Sequence, residues 1–302
     1  MPSQALGQKP LAKVLVLGAS GLLGSHVFEV FSKRTDTIGT YLNSTEPLNE
    51  KMYLLNASNR EDLVSFILDT APTLVINCLG LTDVEDCEMR PEANWMLNAA
   101  VPIRIAKLSK IENIKFIHIS TDHFYSDMST PRTETDHMTP INQYGYSKFF
   151  AEKSILSINP NALVIRTNFF GHSNNGRRSI LDFALAAFLN DQVIYGFEDV
   201  VFSPVGIREI SKFLTSQNAE RATGILNFSS ARPLSKYEFM LLVARTIGVS
   251  ESKVLRSEIS SSNLKVRRPS YLALDPGRLT NEFSHLLPTI ETMVKEEIAA
   301  IP

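Results

Sequence analysis

Cysteine is scarce in this chain, and long apolar runs are missing. Among 302 residues only Cys78 and Cys87 carry thiols. Two are too few for a disulfide framework, and they are not spaced as a zinc site or a redox pair. Both read as reduced thiols, which makes the cytoplasm the expected compartment. The longest clean apolar stretch, FALAAFL from Phe183 to Leu189, is too short to span a bilayer. The first residues, MPSQALGQKPLAK, lack the apolar segment of a secretory signal, and residues 1–11 read as a loose tail. Neither sign of charge is in excess. A formal net charge of −2 points to no nucleic-acid or membrane partner. No cluster of histidine, cysteine and carboxylate stands at metal spacing, so no metal is expected. There is no internal repeat and no low-complexity segment.

What is present is a 44% hydrophobic fraction, ample for a core, and a regular alternation. KVLVLG, DTIGTY, MYLLN, TLVINCLG, IKFIHIS and ALVIRT are short runs with strand character. Between them lie GLLGSHVFEVFSKR, REDLVSFILDT with Asn59 as its N-cap, PEANWMLNAAVPIRIAKLS and YSKFFAEKSIL, all of helical periodicity. Pro91 suits a first turn, and Pro102 predicts a kink. Continuous apolar strands separated by helices predict an α/β fold, a doubly wound parallel sheet of Rossmann type.

After Gly171 the rhythm changes. HSNNGRRS reads as a polar loop, ILDFALAAFLN and IREISKFLTS as helices, QVIYG as a short strand, and GILNFSS as a strand that rejoins the sheet. Ser235 and Glu238 make a capping box for the helix of SKYEFMLLVARTIGV. The expected division is a dinucleotide-binding domain from 12–171 and about 197–228. A smaller interleaved α/β lobe for substrate takes about 172–196 and 229–302.

GASGLLG places Gly18, Gly21 and Gly24 directly after the first strand and at the start of the first helix. Glycines there let the backbone approach a diphosphate, and the helix N-terminus supplies free N–H groups and partial positive charge. Gly18, Ser20, Gly21, Leu22, Leu23 and Gly24 are therefore expected against a dinucleotide. The second strand ends Gly39-Thr40-Tyr41-Leu42-Asn43-Ser44, with no acid to bind a ribose 2′-hydroxyl. That favours NADPH, with NADH the alternative. Lys33 and Arg34 are the nearby cations, and they better suit the C-terminal end of the first helix, facing its dipole.

In YGYSK, Tyr144 and Lys148 stand four apart and share a helix face. An ammonium ~4 Å from a phenolate at an effective dielectric near 20 stabilises it by about 4 kcal/mol. Before lysine desolvation is subtracted, that lowers the phenol's pKa by roughly three units. Ser120, Thr121 and Asp122 close the fifth strand at the sheet edge where such folds bind ligands. The trio Thr121, Tyr144 and Lys148 beside a nicotinamide predicts a ketone reductase, with hydride from the cofactor and a proton from the phenol.

With these pieces in place the chain resembles the extended short-chain dehydrogenase/reductases, and more narrowly the dTDP-4-dehydrorhamnose reductase group. GASGLLG, VINCLGLTDVEDCEMRPEANWMLNAA, ISTDHFY, YGYSKFFAE, RTNFFG, FSPVGIREI and RRPSYLALD carry the resemblance in family order, from about residue 13 to about 280. It implies NAD(P)H-dependent reduction of the 4-keto group of a nucleotide-activated 6-deoxy sugar, with Thr121, Tyr144 and Lys148 catalytic. It places Asn56, Asn77, Cys78, Leu79, Gly80 and the segment of Arg166 and Thr167 along the cofactor, and Asn98 in a structural role. It sets Thr121, Asp122, Phe169 and Arg268 toward the nucleotide sugar. A homodimer is common in the family, and no interface is legible here.

Two departures stand out. Asn56 replaces a frequent aspartate, and RTNFFG lacks the tryptophan of R-T-S-W-V-Y-G that helps seat the sugar. Phe169 and Phe170 either line the pocket or pack in the core. Arg267 and Arg268 either fork onto a diphosphate or lie solvated, and Arg177 and Arg178 read as loop residues. His118 reads as satisfied within the fold, His123 has no metal partners, Trp95 packs on its helix, and Asp83, Glu85, Asp86 and Glu88 suit a helix N-terminus. Two other functions share these motifs. One is a non-catalytic NADP-binding regulatory subunit resembling the methionine adenosyltransferase beta subunit. The other is a nucleotide-sugar epimerase, which the Ser-Thr-Asp order disfavours.

Overall fold

A computed structural model describes residues 13–43, 49–124, 129–172 and 179–301. The expected tail 1–11, Ser44, Tyr125, Arg177 and Arg178 lie outside the described residues. The first half runs β1 (Val14–Leu17), α1 (Leu22–Ser32), β2 (Thr37–Tyr41), β3 (Met52–Leu54), α2 (Arg60–Thr70), β4 (Leu74–Asn77), α3 (Val84–Met89), α4 (Pro91–Trp95), α5 (Val101–Ile111), β5 (Lys115–Ile119), α6 (Gln143–Ile158) and β6 (Leu163–Arg166). The second half adds β7 (Phe169–Phe170), α7 (Ile180–Leu189), β8 (Ile194–Phe197), β9 (Val201–Phe202), β10 (Val205–Gly206), α8 (Ile207–Leu214), α9 (Gln217–Arg221), β11 (Gly224–Asn227), β12 (Leu234–Ser235), α10 (Lys236–Thr246), β13 (Val254–Ser257), α11 (Gly277–Phe283) and α12 (Ile290–Ala299).

Seven strands form one sheet in the order β11-β6-β5-β4-β1-β2-β3, and every pairing in it is parallel. The order reverses direction between β1 and β4, the crevice where doubly wound sheets bind ligands. Alternate side chains explain why both faces are covered. Val14, Val16, Ile76, Ile117 and Ile165 pack in one core with Val27 and Phe31 of α1 and Ile210 and Phe213 of α8. Leu15, Leu17, Val75, Phe116 and Val164 face the other way, onto Leu63 of α2, Ile105 of α5 and Ala151 and Ile155 of α6. The expected return of GILNFSS to the sheet is β11, paired with β6 from Gly224↔Leu163 to Asn227↔Arg166.

Local signals hold where a side chain meets a free backbone group. Asn59 caps α2, and Ser235 with Glu238 forms the box that opens α10. A π-turn, Met96–Ala100, joins α4 to α5, with the N–H of Val101 reaching back to Met96 O. Pro102 stands in the first turn of α5, where its missing N–H costs least. Beyond the sheet, β8 pairs with β13, β7 with β10 and β9 with β12 as short ladders. Phe239 of α10 joins them, with its ring centroid 5.0 Å from that of Phe170 and 5.7 Å from that of Phe202. The helices α9, α11 and α12 are not among the predicted elements. Among the described residues no helix is long and apolar enough to cross a membrane.

Candidate active site

The turn after β1 is built around two glycines. Gly18 has φ +79°, a left-handed conformation that a side chain would strain. A Cβ on Gly24 would lie 2.1 Å from Gly18 O, so only glycine lets α1 start this close to the strand. Thr40 of β2 secures the turn by accepting the Gly18 N–H at 3.2 Å. Gly21 occupies the N-cap position without a side-chain cap, which leaves the first amides of α1 open.

Two adjoining cavities open above these residues. One, of about 820 Å³, is lined by Gly18, Ser20, Gly21, the end of β2 from Thr40 to Asn43, Leu55 to Ala57, and Cys78 to Asp83. The second, of about 360 Å³, shares Gly21 and Cys78 to Gly80 with the first and adds Leu22, Leu23, Gly24, Ser120 to His123, Tyr144, Lys148, Thr167 to Phe169 and Arg268. Together they form one groove over the C-terminal ends of β1, β4, β5 and β6. Apart from Asn77 and Arg166, the candidate site residues read from the sequence line one part of it or the other, including Asn56. The groove fits a dinucleotide. It has a glycine cradle, an uncapped helix N-terminus and two buried hydroxyls without partners, Ser120 Oγ and Thr167 Oγ1.

Some residues fall elsewhere. Asn77 and Arg166 do not line the groove. Asn77 is buried at the end of β4, between Leu79 N and His118. Arg166 is held by both oxygens of Glu152, its Nη2 2.8 Å from Glu152 Oε2, and its guanidinium lies 5.4 Å from the Phe124 ring centroid. A buried guanidinium needs such a partner, so it stays behind the wall. Phe169 faces the groove and Phe170 lies in the core. Arg268 lines the groove, 3.5 Å from Glu85, while Arg267 is exposed and its carbonyl accepts from Asn142. Asn98 ties the loop after β4 through Leu81 N and Leu81 O, a structural part. The acids near 85 also serve backbone groups: Asp83 caps α3 and Glu88 accepts from Gln143 N. Trp95 is 45% exposed, its ring 4.9 Å from that of Phe150. Among the described residues no group of His, Cys, Asp and Glu could hold a metal ion.

The electrostatics correct one expectation. Lys148 does not pull the Tyr144 phenol down. Burial raises the phenol above its usual range, a hydrogen bond with the Thr121 hydroxyl opposes this, and Asp122 and Cys87 add to the rise. The reason is where the lysine points: its Nζ donates to Ile119 O at 2.8 Å and faces His118 Nε2 at 3.3 Å. Burial also brings Lys148 down to about 8, with Glu152 one turn along opposing. Asp122 is lifted by burial up to about 6, and the hydrogen bond from Asn168 Nδ2, 2.7 Å long, restrains the rise. Burial pushes His123 down to about 3, and its ring meets Tyr144 edge-on at 5.5 Å. Cys78 and Cys87 are free thiols, both pushed up to about 12 by burial.

Residues that escaped the sequence reading of the site include Asn168, His118 as a contact of Lys148, and Lys236. A signal existed for Lys236. A lysine right after an N-cap opposes the helix dipole and calls for a nearby acid. Here Asp122 raises the pKa of Lys236 against the burial that lowers it, and its Nζ sits 4.8 Å over the Phe202 ring.

Comparison with known proteins agrees with this geometry. The chain is 25% identical over 291 residues to a probable low-salt glycan biosynthesis reductase of Haloferax volcanii, covering 95% of this chain and 96% of the other. It is 25% identical over 283 residues to methionine adenosyltransferase 2 subunit beta of Mus musculus, covering 89% and 82%. The crystal structure of dTDP-4-dehydrorhamnose reductase from Bacillus anthracis in complex with NADP superposes with a TM-score of 0.85 at 20% identity, covering 96% of this chain and all of that one (100%). A family model described as the RmlD substrate binding domain matches residues 12–301, and the protein belongs to that family.

Proposed function

We propose that this protein is an NAD(P)H-dependent oxidoreductase that reduces the 4-keto group of a nucleotide-activated 6-deoxy sugar. One observation carries the reading. Thr121, Tyr144 and Lys148 line the same groove as the glycine turn, and the phenol is held in its protonated form. A reductase needs a proton donor at rest, and a buried phenol hydrogen-bonded to Thr121 is one. Bound NADPH supplies the hydride, and NADH is the alternative. Tyr144 gives its proton to the carbonyl oxygen as that oxygen gains charge. Thr121 fixes the phenol, and Lys148 holds its place against β5. Gly18, Ser20, Gly21, Leu22, Leu23, Gly24, Asn56, Cys78, Leu79, Gly80 and Thr167 hold the cofactor. Asp122, Phe169 and Arg268 face the sugar nucleotide.

The same reading divides the chain into a cofactor domain, 12–171 with about 197–228, and a substrate lobe, about 172–196 with 229–302. It sets the protein in the reducing cytoplasm, where two free thiols persist, and it takes a homodimer as the assembly.

The test is NADPH oxidation, followed at the nicotinamide band, with a panel of dTDP- and UDP-linked 4-keto-6-deoxy sugars. Turnover of at least one is expected. A second reading, a cofactor-binding regulatory subunit, rests on the likeness to a methionine adenosyltransferase subunit alone. Silence on every sugar together with copurification of a larger catalytic partner would select it instead.

A further inference from the structure

His118 is fully buried and lies between two groups whose hydrogen-bond directions follow from one backbone amide. The N–H of Leu79 donates to Asn77 Oδ1 at 3.1 Å. That orients the Asn77 amide, with oxygen toward Leu79 and Nδ2 toward His118 Nδ1 at 3.1 Å. The register of the sheet keeps it so, because Asn77 and His118 are direct partners on β4 and β5. An amide NH₂ has hydrogens to give and nothing to accept with. His118 Nδ1 is therefore the acceptor, and a neutral imidazole carries its proton on Nε2. Nε2 faces Lys148 Nζ at 3.3 Å. An ammonium, all donor, sets N–H against N–H there. An amine offers a lone pair to Nε2–H and still donates to Ile119 O.

We propose that His118, oriented through Asn77, is a positioning residue for Lys148: it presents Nε2–H to the side-chain nitrogen and favours the uncharged amine over the ammonium. An amine that accepts from His118 and gives one hydrogen to Ile119 keeps a second N–H for a ligand in the groove. The other groups acting on the lysine are Glu152, on its own helix and already paired with Arg166, and the Cys78 and Cys87 thiols from the loop after β4 and from α3. Glu152 most, and the two cysteines after it, favour the ammonium, while burial and the histidine oppose it. Doubly protonated His118 is disfavoured by the same surroundings: burial foremost holds its pKa well below the usual range, and Lys148 lowers it further whenever it is charged. The consequence for turnover rests on the reductase reading above. Once Tyr144 has lost its proton to the product alcohol, a lysine whose two forms lie close in free energy can release a proton toward the phenolate and regain one from water. The hydrogen-bond direction itself does not depend on that reading.

The test uses the full chain and needs no substrate. ¹⁵N spectra of histidine-labelled protein, with the His118 signal identified by its loss in His118→Phe, are expected to show the proton on Nε2. A proton on Nδ1 overturns the proposal. A titration of labelled Lys148, identified by loss in Lys148→Met, adds the energetic arm. Asn77→Asp still accepts from Leu79 N–H, but its carboxylate accepts from Nδ1–H and turns Nε2 into an acceptor. It should raise the lysine midpoint by about one unit or more, and clearly less when combined with His118→Phe. Equal rises in the two backgrounds overturn the proposal. Should Asn77→Asp not fold, the histidine spectrum decides. NADPH oxidation is read separately: its absence removes the reductase reading and leaves the histidine result standing.

Discussion

Asn168 Nδ2 donates a 2.7 Å hydrogen bond to Asp122 Oδ2, so the turn after β6 holds the carboxylate that ends the turn after β5. This bond restrains the rise of Asp122 that burial causes, to about 6. Asn168→Ala removes the donor, and the carboxyl then ionises only at higher pH. The acid limb of kcat/KM should move upward by about one unit. A pH–rate profile between about pH 5 and 8 checks it, and a limb that stays in place would separate Asp122 from the rate.

Tyr144→Phe keeps the ring that packs on Val84 and Cys87 and removes only the hydroxyl. The expected loss is about 10²–10⁴ in kcat, the usual worth of a general acid. NADPH affinity should hold within about twofold, because the proton donor acts on the substrate oxygen. Single-turnover kinetics alongside cofactor titration separates the two effects.

Glu152 and Arg166 form a fully buried ion pair, 0% exposed on both sides. Glu152→Gln leaves the guanidinium buried without its counter-charge, at a cost of about 3–5 kcal/mol. Replacing both by apolar residues of similar volume should cost much less. Urea unfolding of the two variants tests the contrast. Glu152 also raises the pKa of Lys148, so the single variant should push the lysine below about 8.

Glu297 of α12 accepts the Arg208 N–H at the start of α8 and is only 3% exposed. Burial raises it from the usual 4.5 to about 7. A carboxyl raised on folding contributes stability that is fully present below pH 4.5 and lost as pH rises through about 7. Glu297→Gln keeps an acceptor and cannot ionise, so it should flatten that decline. Melting temperatures across the same window should converge at the acid end and favour the variant at the neutral end.

The central sheet was legible because each of its strands is a short apolar run ending at a turn, and alternate residues of β1 and β5 face two covered cores. The caps at Asn59 and Ser235 were legible for a local reason, since three residues contain the whole interaction. Pro102 marked the neighbourhood of an irregularity in the long helix, which the structure places just before it as the π-turn Met96–Ala100. The helices α11 and α12 went unread. Gly277–Phe283 is short and carries no side-chain N-cap, and α12 earns its place through contacts such as Glu297 with Arg208.

By itself the sequence determined the strand order's raw material, the glycine turn and the Tyr144–Lys148 pair, because each is written in near neighbours along the chain. Only the tertiary structure decided how those residues ionise. Tyr144 and Lys148 stand one helical turn apart, and that spacing predicted a lowered phenol. Burial and the carbonyl of Ile119 reversed it, turning the lysine toward His118. Spacing along a helix fixes which side chains share a face. The free energy of a charge depends on the water removed and the dipoles brought close by distant strands, and those are known only once the chain has closed around it.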